Sequence, residues 1–301
     1  MQAVDELLTI VMVTSPVPSN PSTAMLEHVL SSCTTAGGFN GCPTIVVSDG
    51  YRVASAGQRP KPKAGRVPPH WEEPYEEFRH KLDDLDSTAS SALSGVQHIR
   101  VLEHKGFAGC LHIALRQVRT PFVLVLQHDR PCLRPFDGSG LLAAMMSCSQ
   151  LKYVGLPTKA SLARTEPAHL ASNWHLQPEV WDAANGSFKL RPLCLWYDSA
   201  HICRLDHYRD FVFRKGRDWS GGFPEDSFGQ DMQLELRSAA AEGRWKEVHD
   251  TFGTYLYDDG GGPVVGHLNG RRFSLDLERG TSSGRKFFTA ALEVHDKLPT
   301  T

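Results

Sequence analysis

The sequence predicts an α/β fold: a single large domain with an open, mostly parallel sheet flanked by helices. Three short apolar runs, at residues 8–13, 44–47 and 122–126, are rich in β-branched or aromatic residues and are bounded by Pro, Gly or Asp. Such continuous runs are typical of strands that are buried on both faces of a parallel sheet. Helical periodicity between the runs gives the alternating strand and helix order of a doubly wound sheet.

Two segments between the runs carry apolar residues at helical spacing. In the first segment, Asn20 is the expected N-cap and Pro21 the first helical residue. The second segment follows Lys105 and Gly106. The predicted apolar faces consist of Met25, Leu26, Val29, Leu30 and Cys33 in the first helix and of Leu111, Ala114, Leu115 and Val118 in the second.

The pattern is interrupted at residues 55–95, which we interpret as a surface insertion. A stretch rich in Pro and Lys, GQRPKPKAGRVPP, precedes an acidic stretch with helical character, WEEPYEEFRHKLDDL. Near the end of the chain, KFFTAALEVHDKL predicts a further helix, so residues 274–301 are expected to form a helical extension.

The composition of the chain is that of a soluble globular protein. Of its 301 residues, 41% are hydrophobic and 22% are charged, and the formal net charge is -2, which gives no reason to expect nucleic acid or an anionic membrane as a partner. No run approaches the roughly 18 apolar residues that a membrane span needs. Seven cysteines without a CxxC pair predict reduced, mostly buried thiols. Together with an acidic N-terminal segment unlike a signal peptide, these features predict a cytoplasmic protein.

Polar residues follow each of the three predicted strands. Ligands in open α/β sheets bind beyond the carboxyl ends of the strands, so these positions are the first candidates for a binding site. Two of the three strands end at an aspartate, which a buried strand does not need for folding. The candidates are Thr14 and Ser15 after the first strand, Asp49 after the second, and Gln127, His128 and Asp129 after the third.

The order of motifs along the chain resembles the GT-A glycosyltransferases, in particular the inverting family 2 type. The motifs are VVSDG, IRVLEHKGFAGCLHIAL, TPFVLVLQHD, GGFPEDSFGQDMQLELRSAAAEG and VVGHLNGRRF. The likeness spans about residues 7–273, and the ordered set carries it because each motif alone is short. It implies a catalytic domain at 1–273, with a nucleotide-sugar-binding half at 7–135 and an acceptor-binding half at 150–273.

The resemblance implies a nucleotide site at the strand ends. Asp49 is expected to accept hydrogen bonds from the base or ribose, and the helix after Lys105 to direct its N-terminus at the nucleotide. Arg271 and Arg272 are expected to grip diphosphate oxygens. The alternatives are a turn-forming Asp-Gly pair, a solvated lysine and an ordinary basic turn. The implied nucleotide-binding residues are Thr14, Ser15, Asp49, Lys105, Gln127, His128, Arg271 and Arg272.

A divalent cation, Mn²⁺ or Mg²⁺, is the implied cofactor, because the charge of a departing nucleoside diphosphate must be neutralised. Asp129 is the implied ligand, and His267 is the second, since imidazole suits Mn²⁺. The chain departs from the family's Asp-x-Asp triplet, because Gln127 occupies the first position and leaves Asp129 as the only carboxylate. The alternative is a polar strand end in which Asp129 caps the next turn.

The catalytic base implied by the resemblance is Asp231, with Asp226 and Glu225 as the next candidates. Asp231 is expected at the N-terminus of a helix, where it would be both held in place and ionised. The alternative role for an aspartate at that point is a plain helix cap.

Aromatic residues between 160 and 220 are candidates for an acceptor pocket, because aromatic rings stack on the apolar faces of sugars. Trp174, Trp181 and Trp219 are the acceptor-binding candidates, whereas Trp196 and Tyr197 are expected to lie in a strand and fill the core.

The resemblance therefore implies a metal-dependent glycosyltransferase. It would move a sugar from a nucleoside-diphosphate sugar to a hydroxyl of a carbohydrate or protein-glycan acceptor, with inversion. The alternatives are a nucleotidyltransferase of related fold and a catalytically inactive sugar- or nucleotide-binding module. The nucleotidyltransferase is disfavoured because TSPVPSNPS after the first strand has neither glycine nor lysine. A nicotinamide-dependent dehydrogenase is disfavoured because no GxGxxG follows a strand.

Overall fold

The three apolar runs form adjacent parallel strands of one large sheet. The computed structural model describes residues 3–84, 92–164, 179–183, 186–214, 219 and 222–270. Within those ranges the sheet has nine strands, and a two-stranded sheet lies beside it. The strands are β1 (Leu8–Thr14), β2 (Thr44–Ser48), β3 (Arg52–Val53), β4 (Arg66–Val67), β5 (Gln97–Arg100), β6 (Phe122–Gln127), β7 (Tyr153–Gly155), β8 (Glu179–Ala183), β9 (Gly186–Pro192), β10 (His201–Arg204) and β11 (Thr254–Asp258).

Helices cover both faces of the large sheet. They are α1 (Val4–Leu7), α2 (Ala24–Gly37), α3 (Glu72–Asp83), α4 (Gly106–Leu115), α5 (Gly138–Ser147), α6 (Lys159–Arg164), α7 (Pro224–Ala241) and α8 (Trp245–Phe252). Two short 3-10 turns, Pro62–Ala64 and Pro69–Trp71, and a π-helical turn at His207–Val212 complete the regular elements of the described residues.

The strand order of the large sheet is β5-β2-β1-β6-β10-β7-β11-β9-β8. The first four strands are mutually parallel. Strand β10 is antiparallel to both of its neighbours, and β9 is antiparallel to both of its own. Because β11 is parallel to β7, seven of the nine strands point the same way. The prediction of a mostly parallel α/β sheet flanked by helices is confirmed.

Apolar side chains pack on both faces of the sheet. Strand β1 illustrates why a strand of this sheet does not alternate apolar and polar residues. Leu8, Ile10 and Met12 belong to the apolar cluster on one face, and Val11 and Val13 belong to the cluster on the other. Successive side chains of a strand point to opposite faces, so a strand covered on both sides must be apolar throughout. Full burial of each such side chain stabilises the fold by about 1.5–3 kcal/mol.

The start of the first long helix differs from the prediction. Helix α2 begins at Ala24 after Thr23, so Asn20 is not the N-cap and Pro21 is not the first helical residue. The Asn20 side-chain oxygen instead accepts a hydrogen bond from the Val17 N–H at 2.9 Å, which closes a turn before the helix. The predicted apolar faces of α2 and α4 are buried as expected, except that α4 ends at Leu115, so Val118 is buried beyond the helix rather than on its face.

Strand β5 was not predicted, because it is short, polar and only partly buried at the edge of the sheet. The expectation that Trp196 and Tyr197 lie in a strand is wrong, since residues 193–200 are irregular. Trp196 nevertheless fills the core as expected and is fully buried, whereas Tyr197 is half-buried.

The segment between β2 and β5 combines an exposed loop with a packed helix. The small β3–β4 sheet carries the loop, whereas α3 buries Tyr75, Phe78 and Leu82 against the core. The Tyr75 hydroxyl donates to the Asp49 carbonyl at 2.8 Å, so α3 supports the end of β2. The proposed domain boundaries stay predictions, and the extension at 274–301 lies outside the described residues.

All seven cysteines are free thiols, and five of them are buried. In the described ranges, no helix combines the length and apolar character needed to cross a membrane. The cellular compartment stays a prediction.

Candidate functional site

A cavity of about 310 Å³ lies at the carboxyl ends of β1, β2 and β6. We call it the strand-end cavity. Parallel strands bring their carboxyl ends to one edge of a sheet, which is why residues far apart in sequence meet here. Seven residues predicted for nucleotide or metal binding line it: Thr14, Ser15, Asp49, Gln127, His128, Asp129 and His267.

Asp49 is buried, and its carboxylate caps helix α4 from the end of β2. Oδ1 accepts the Lys105 N–H at 2.8 Å, and Oδ2 accepts the Gly106 N–H at 3.1 Å. The Cys110 thiol donates to Oδ1, and the His104 Nδ1 lies 2.7 Å from Oδ2. The carboxylate thus satisfies orphan donors at the helix N-terminus and fixes α4 at the cavity. The Lys105 side chain points elsewhere, pairs with Glu103 and does not line the cavity.

Asp129 and His267 are brought together as the sequence suggested. Residues 264–268 run beside 129–133 and are joined to them by three backbone hydrogen bonds, one of which links the Leu268 N–H to the Asp129 carbonyl. The Asp129 Oδ2 lies 3.1 Å from the His267 Nε2 and accepts the Gly270 N–H at 3.0 Å. Burial acts to raise the pKa of Asp129, but the hydrogen bonds from His267 and Gly270 and the electrostatic influence of the neighbouring His128 outweigh it, so the pKa is lowered and the carboxylate is ionised.

Asp129 and His267 offer too few ligand atoms to hold a cation by themselves, so a bound substrate must supply further ligands. Across the described ranges, no group of three or more His, Cys, Asp or Glu side chains could hold a metal ion. The Gln127 side-chain amide is turned away, because its Nε2 donates to the Asp198 carbonyl at 2.7 Å. Asp129 and His267 would hold a Mn²⁺ or Mg²⁺ ion only with phosphate oxygens and water as its remaining ligands, which is a common arrangement for Mg²⁺.

A second cavity, of about 420 Å³, adjoins the first. Its walls include Asp198, Glu225 and Asp226, so we call it the acidic cavity. Gln127 and Phe223 line both cavities. The two cavities therefore meet at the end of β6 and the start of α7.

Asp198 was not identified from the sequence, yet its hydrogen bonds join it to the start of α7 in the wall of the acidic cavity. Its Oδ2 accepts the Glu225 N–H at 2.8 Å, and its own N–H donates to the Glu225 Oε2 at 3.3 Å. Only 3% of the residue is exposed. Burial raises the pKa of Asp198 well above its usual value despite the bond from the Glu225 N–H, and the Glu225 charge adds to the rise. The sequence signal is slight, since Asp198 lies in an irregular segment three residues before the start of β10.

The expected position of Asp231 is wrong. Helix α7 begins at Pro224, so Asp231 lies about two turns, or ~10 Å, into the helix rather than at its N-terminus. Proline at the first helical position, followed by Glu225 and Asp226, is the usual signature of a helix start. Asp231 lines neither cavity, whereas Glu225 and Asp226 line the acidic cavity.

The tryptophans predicted for the acceptor do not reach either cavity where they are described. Trp219 is buried and packs edge-on against Phe213 at 4.6 Å between ring centroids. Trp181 lies on β8, the outermost strand of the sheet, and packs against the core. Trp174, Arg271 and Arg272 lie outside the described residues.

Other aromatic residues line the acidic cavity instead. Tyr197 is half-buried there, and Phe223 is 42% exposed. The Phe223 ring stacks on Phe107 at 5.1 Å between ring centroids, which holds an exposed aromatic surface at the junction of the two cavities. Neither residue was predicted as a sugar contact.

Comparison with known proteins gives matches among solved structures alone. No protein-family model matches the chain, and no curated protein matches it. A CMP:2-keto-3-deoxy-manno-octonic acid synthetase complexed with CTP is 14% identical, with a TM-score of 0.41 over 97% of this chain and 100% of that one. The mannosyltransferase PcManGT from Pyrobaculum calidifontis, in complex with GDP-Man and Mn²⁺, is 12% identical, with a TM-score of 0.40 over 96% of this chain and 69% of that one.

A third structure, S. aureus TarS 1-349 in complex with UDP-GlcNAc, is 11% identical, with a TM-score of 0.40 over 96% of this chain and 65% of that one. A likeness this loose does not assign an activity to the chain.

Proposed function

We propose that the chain is a glycosyltransferase that binds a nucleoside-diphosphate sugar in the strand-end cavity and an acceptor hydroxyl in the acidic cavity. The observation that carries the proposal is the junction of the two cavities at Gln127 and Phe223. A sugar bound at that junction would have its leaving diphosphate on one side and carboxylates on the other. That is the arrangement an in-line displacement with inversion requires.

Asp226 is the proposed base. It is exposed in the acidic cavity at the first turn of α7, where the helix dipole favours a negative charge. Glu225 is tied by two hydrogen bonds to Asp198, so we assign it a supporting role. Asp226 would accept the proton of the acceptor hydroxyl as its oxygen attacks the anomeric carbon, and the bond from that carbon to the nucleoside diphosphate would break.

A divalent cation, Mn²⁺ or Mg²⁺, is part of the proposal. Asp129 and His267 would hold it together with oxygens of the diphosphate, and the bound ion would offset charge on the leaving group. The proposed acceptor is a carbohydrate or protein glycan, with Phe223 and Tyr197 supplying stacking surfaces in place of the buried Trp219.

Binding is the first test. UDP and GDP are added to the protein with Mn²⁺ or with EDTA, and the melting temperature is measured. The proposal expects at least one nucleotide to raise the melting temperature in Mn²⁺ and expects Asp129→Asn to reduce that shift. If neither nucleotide raises it, the proposal fails.

Turnover is the second test, measured as hydrolysis of a panel of UDP- and GDP-sugars. Asp226→Asn should lower kcat by about 10²–10⁴-fold, the usual contribution of a general base, while nucleotide binding stays close to wild type. Asp231→Asn is the matched control on the same helix and should keep wild-type turnover. If Asp231→Asn lowers kcat and Asp226→Asn does not, Asp231 is the base. Nucleotide binding without any turnover would instead indicate a catalytically inactive module that binds sugar nucleotides.

A further inference from the structure

A basic loop, residues 59–66, forms part of the wall of the strand-end cavity. The loop lies in the segment between β2 and β5 and has no acidic residue. Its four cationic residues are Arg59, Lys61, Lys63 and Arg66. Pro62 and Lys63 line the same cavity as Asp129 and His267. The loop also encloses a neighbouring cavity of about 420 Å³, whose lining residues all belong to 59–66.

Hydrogen bonds within the loop hold its shape. The Lys61 N–H donates to the Arg66 carbonyl at 2.7 Å, and the Arg66 Nε donates to the Arg59 carbonyl at 2.9 Å. Gly65, at φ +69°, lies so close to His104 that a Cβ would come within 2.1 Å of the imidazole ring. The His104 Nδ1 lies 2.7 Å from the Asp49 carboxylate, so the loop packs against a residue that contacts the end of β2.

The positive charges of the loop are not neutralised by the described part of the protein. Several other cationic side chains, such as Lys105 and Arg134, pair with carboxylates. None of the four loop cations forms an ion pair within the described residues. Like charges held this close repel one another, so an anion bound among them would lower their mutual repulsion.

The strand-end cavity supplies few ligands for a cation. Of the two carboxylates that line it, Asp49 is engaged by the N-terminus of α4, which leaves Asp129, and Gln127 is turned toward Asp198. A sphere with the volume of the strand-end cavity is only about 8 Å across, so a diphosphate held near Asp129 would lie within the reach of the Lys63 side chain, which lines the same cavity.

We propose that the basic loop binds the diphosphate of the donor and supplies part of the positive charge that a metal ion held by more protein ligands would otherwise provide. This inference rests on the proposed function, because it requires a nucleoside diphosphate in the strand-end cavity. It predicts that the protein retains affinity for the nucleotide without a metal ion, and that this affinity depends on the loop.

The test measures the Kd of UDP, GDP, uridine and guanosine by NMR titration in EDTA and in Mn²⁺. Three proteins are compared: wild type, the loop variant Arg59→Gln/Lys61→Gln/Lys63→Gln, and the control variant Arg116→Gln/Arg119→Gln/Lys246→Gln. The control removes the same charge from exposed positions that line neither cavity. Circular dichroism checks folding, and Lys63→Gln alone replaces the loop variant if that variant does not fold.

In EDTA, the loop variant should bind the diphosphate at least about tenfold more weakly than wild type, the scale of one lost charge-assisted hydrogen bond. Its affinity for the nucleoside should be unchanged, and the control variant should stay within about twofold of wild type. Equal weakening of nucleoside and diphosphate, or equal weakening in the loop and control variants, would overturn the inference.

Two further outcomes separate the inference from the proposed function. If the diphosphate binds only with Mn²⁺, and the loop variant binds it as wild type does, the inference is wrong while the proposed function stands. If wild type binds neither diphosphate with or without Mn²⁺, the proposed function fails and the inference fails with it.

Discussion

Acidification should destabilise the protein through His201, whose ring is fully buried beside the acidic cavity. Its Nδ1 lies 2.6 Å from the Ser199 carbonyl oxygen, and its Nε2 lies 3.0 Å from the Tyr208 hydroxyl. A neutral ring satisfies both groups by donating at Nδ1 and accepting at Nε2. Burial lowers the pKa of His201 to about 4, and the hydrogen bond to Ser199 offsets only part of that effect.

The magnitude follows from linkage between proton binding and folding. An unfolded histidine titrates near 6.5, so between pH 6.5 and 4 the unfolded state binds a proton that the folded state excludes. This contribution to stability is present above pH 6.5 and is lost as the pH falls. With these two pKa values, His201 accounts for a loss of about 2 kcal/mol in the free energy of unfolding from pH 6.5 to 4.5.

Other groups also titrate in this range, so the difference between wild type and a His201 variant is the quantity to measure. Burial lowers the pKa of His207 to about 3, which adds to the loss in acid. The raised pKa of Asp198 acts in the opposite direction, because the folded state then binds the proton more tightly than the unfolded state does.

The assay is urea unfolding at pH 6.5 and 4.5, followed by circular dichroism. His201→Gln keeps a donor and an acceptor but does not titrate, and His70→Gln alters an exposed histidine as the control. Wild type and the control should each lose about 2 kcal/mol more than His201→Gln. If wild type and His201→Gln lose the same free energy, a buried neutral His201 is refuted.

Three further substitutions test the fold around the site by chemical and thermal unfolding. Asp137→Ala removes the N-cap of α5, whose side chain accepts a backbone N–H at 2.9 Å, and should cost about 1 kcal/mol; no measurable loss would exclude a capping role. Gly50→Ala would place a Cβ 2.3 Å from the Glu103 backbone and should cost about 1–3 kcal/mol; wild-type stability would show that the loops are not in contact. Gln127→Glu replaces a donor to the Asp198 carbonyl with an acceptor and should cost about 1–3 kcal/mol; an unchanged melting temperature would contradict that hydrogen bond.

The central sheet was predictable because its strands are buried on both faces and are therefore continuously apolar. The rule that ligands bind at the carboxyl ends of parallel strands located the strand-end cavity, since these strands bring Asp49 and Asp129 to one edge of the sheet. Strand β5 carries no such signal, because an edge strand with a partly solvated surface can be polar. Sequence pattern is thus most informative where burial on both faces requires every residue of a strand to be apolar.

The acidic cavity could not be predicted as readily, because tertiary packing creates it. Asp198 becomes buried only when α7 docks its N-terminus against it, and nothing local in the sequence indicates that contact. Asp231 was misplaced for a different reason. Several acidic residues lie in the first turns of one helix, and the chain enters that helix at Pro224, earlier than the family resemblance implied.

The hydrogen bond to the Asp198 carbonyl gives a physical reason why Gln127 departs from the Asp-x-Asp triplet of the family that the sequence resembles. A carboxylate only accepts hydrogen bonds, so an ionised aspartate or glutamate here would face a carbonyl oxygen without a proton between them. The amide instead donates, and it ties the end of β6 to the segment that holds Glu225. A second metal-binding carboxylate at this position and the present link between the two cavities are therefore mutually exclusive. In the inference above, the basic loop, whose Lys63 lines the same cavity, supplies positive charge to a diphosphate whose cation has few protein ligands.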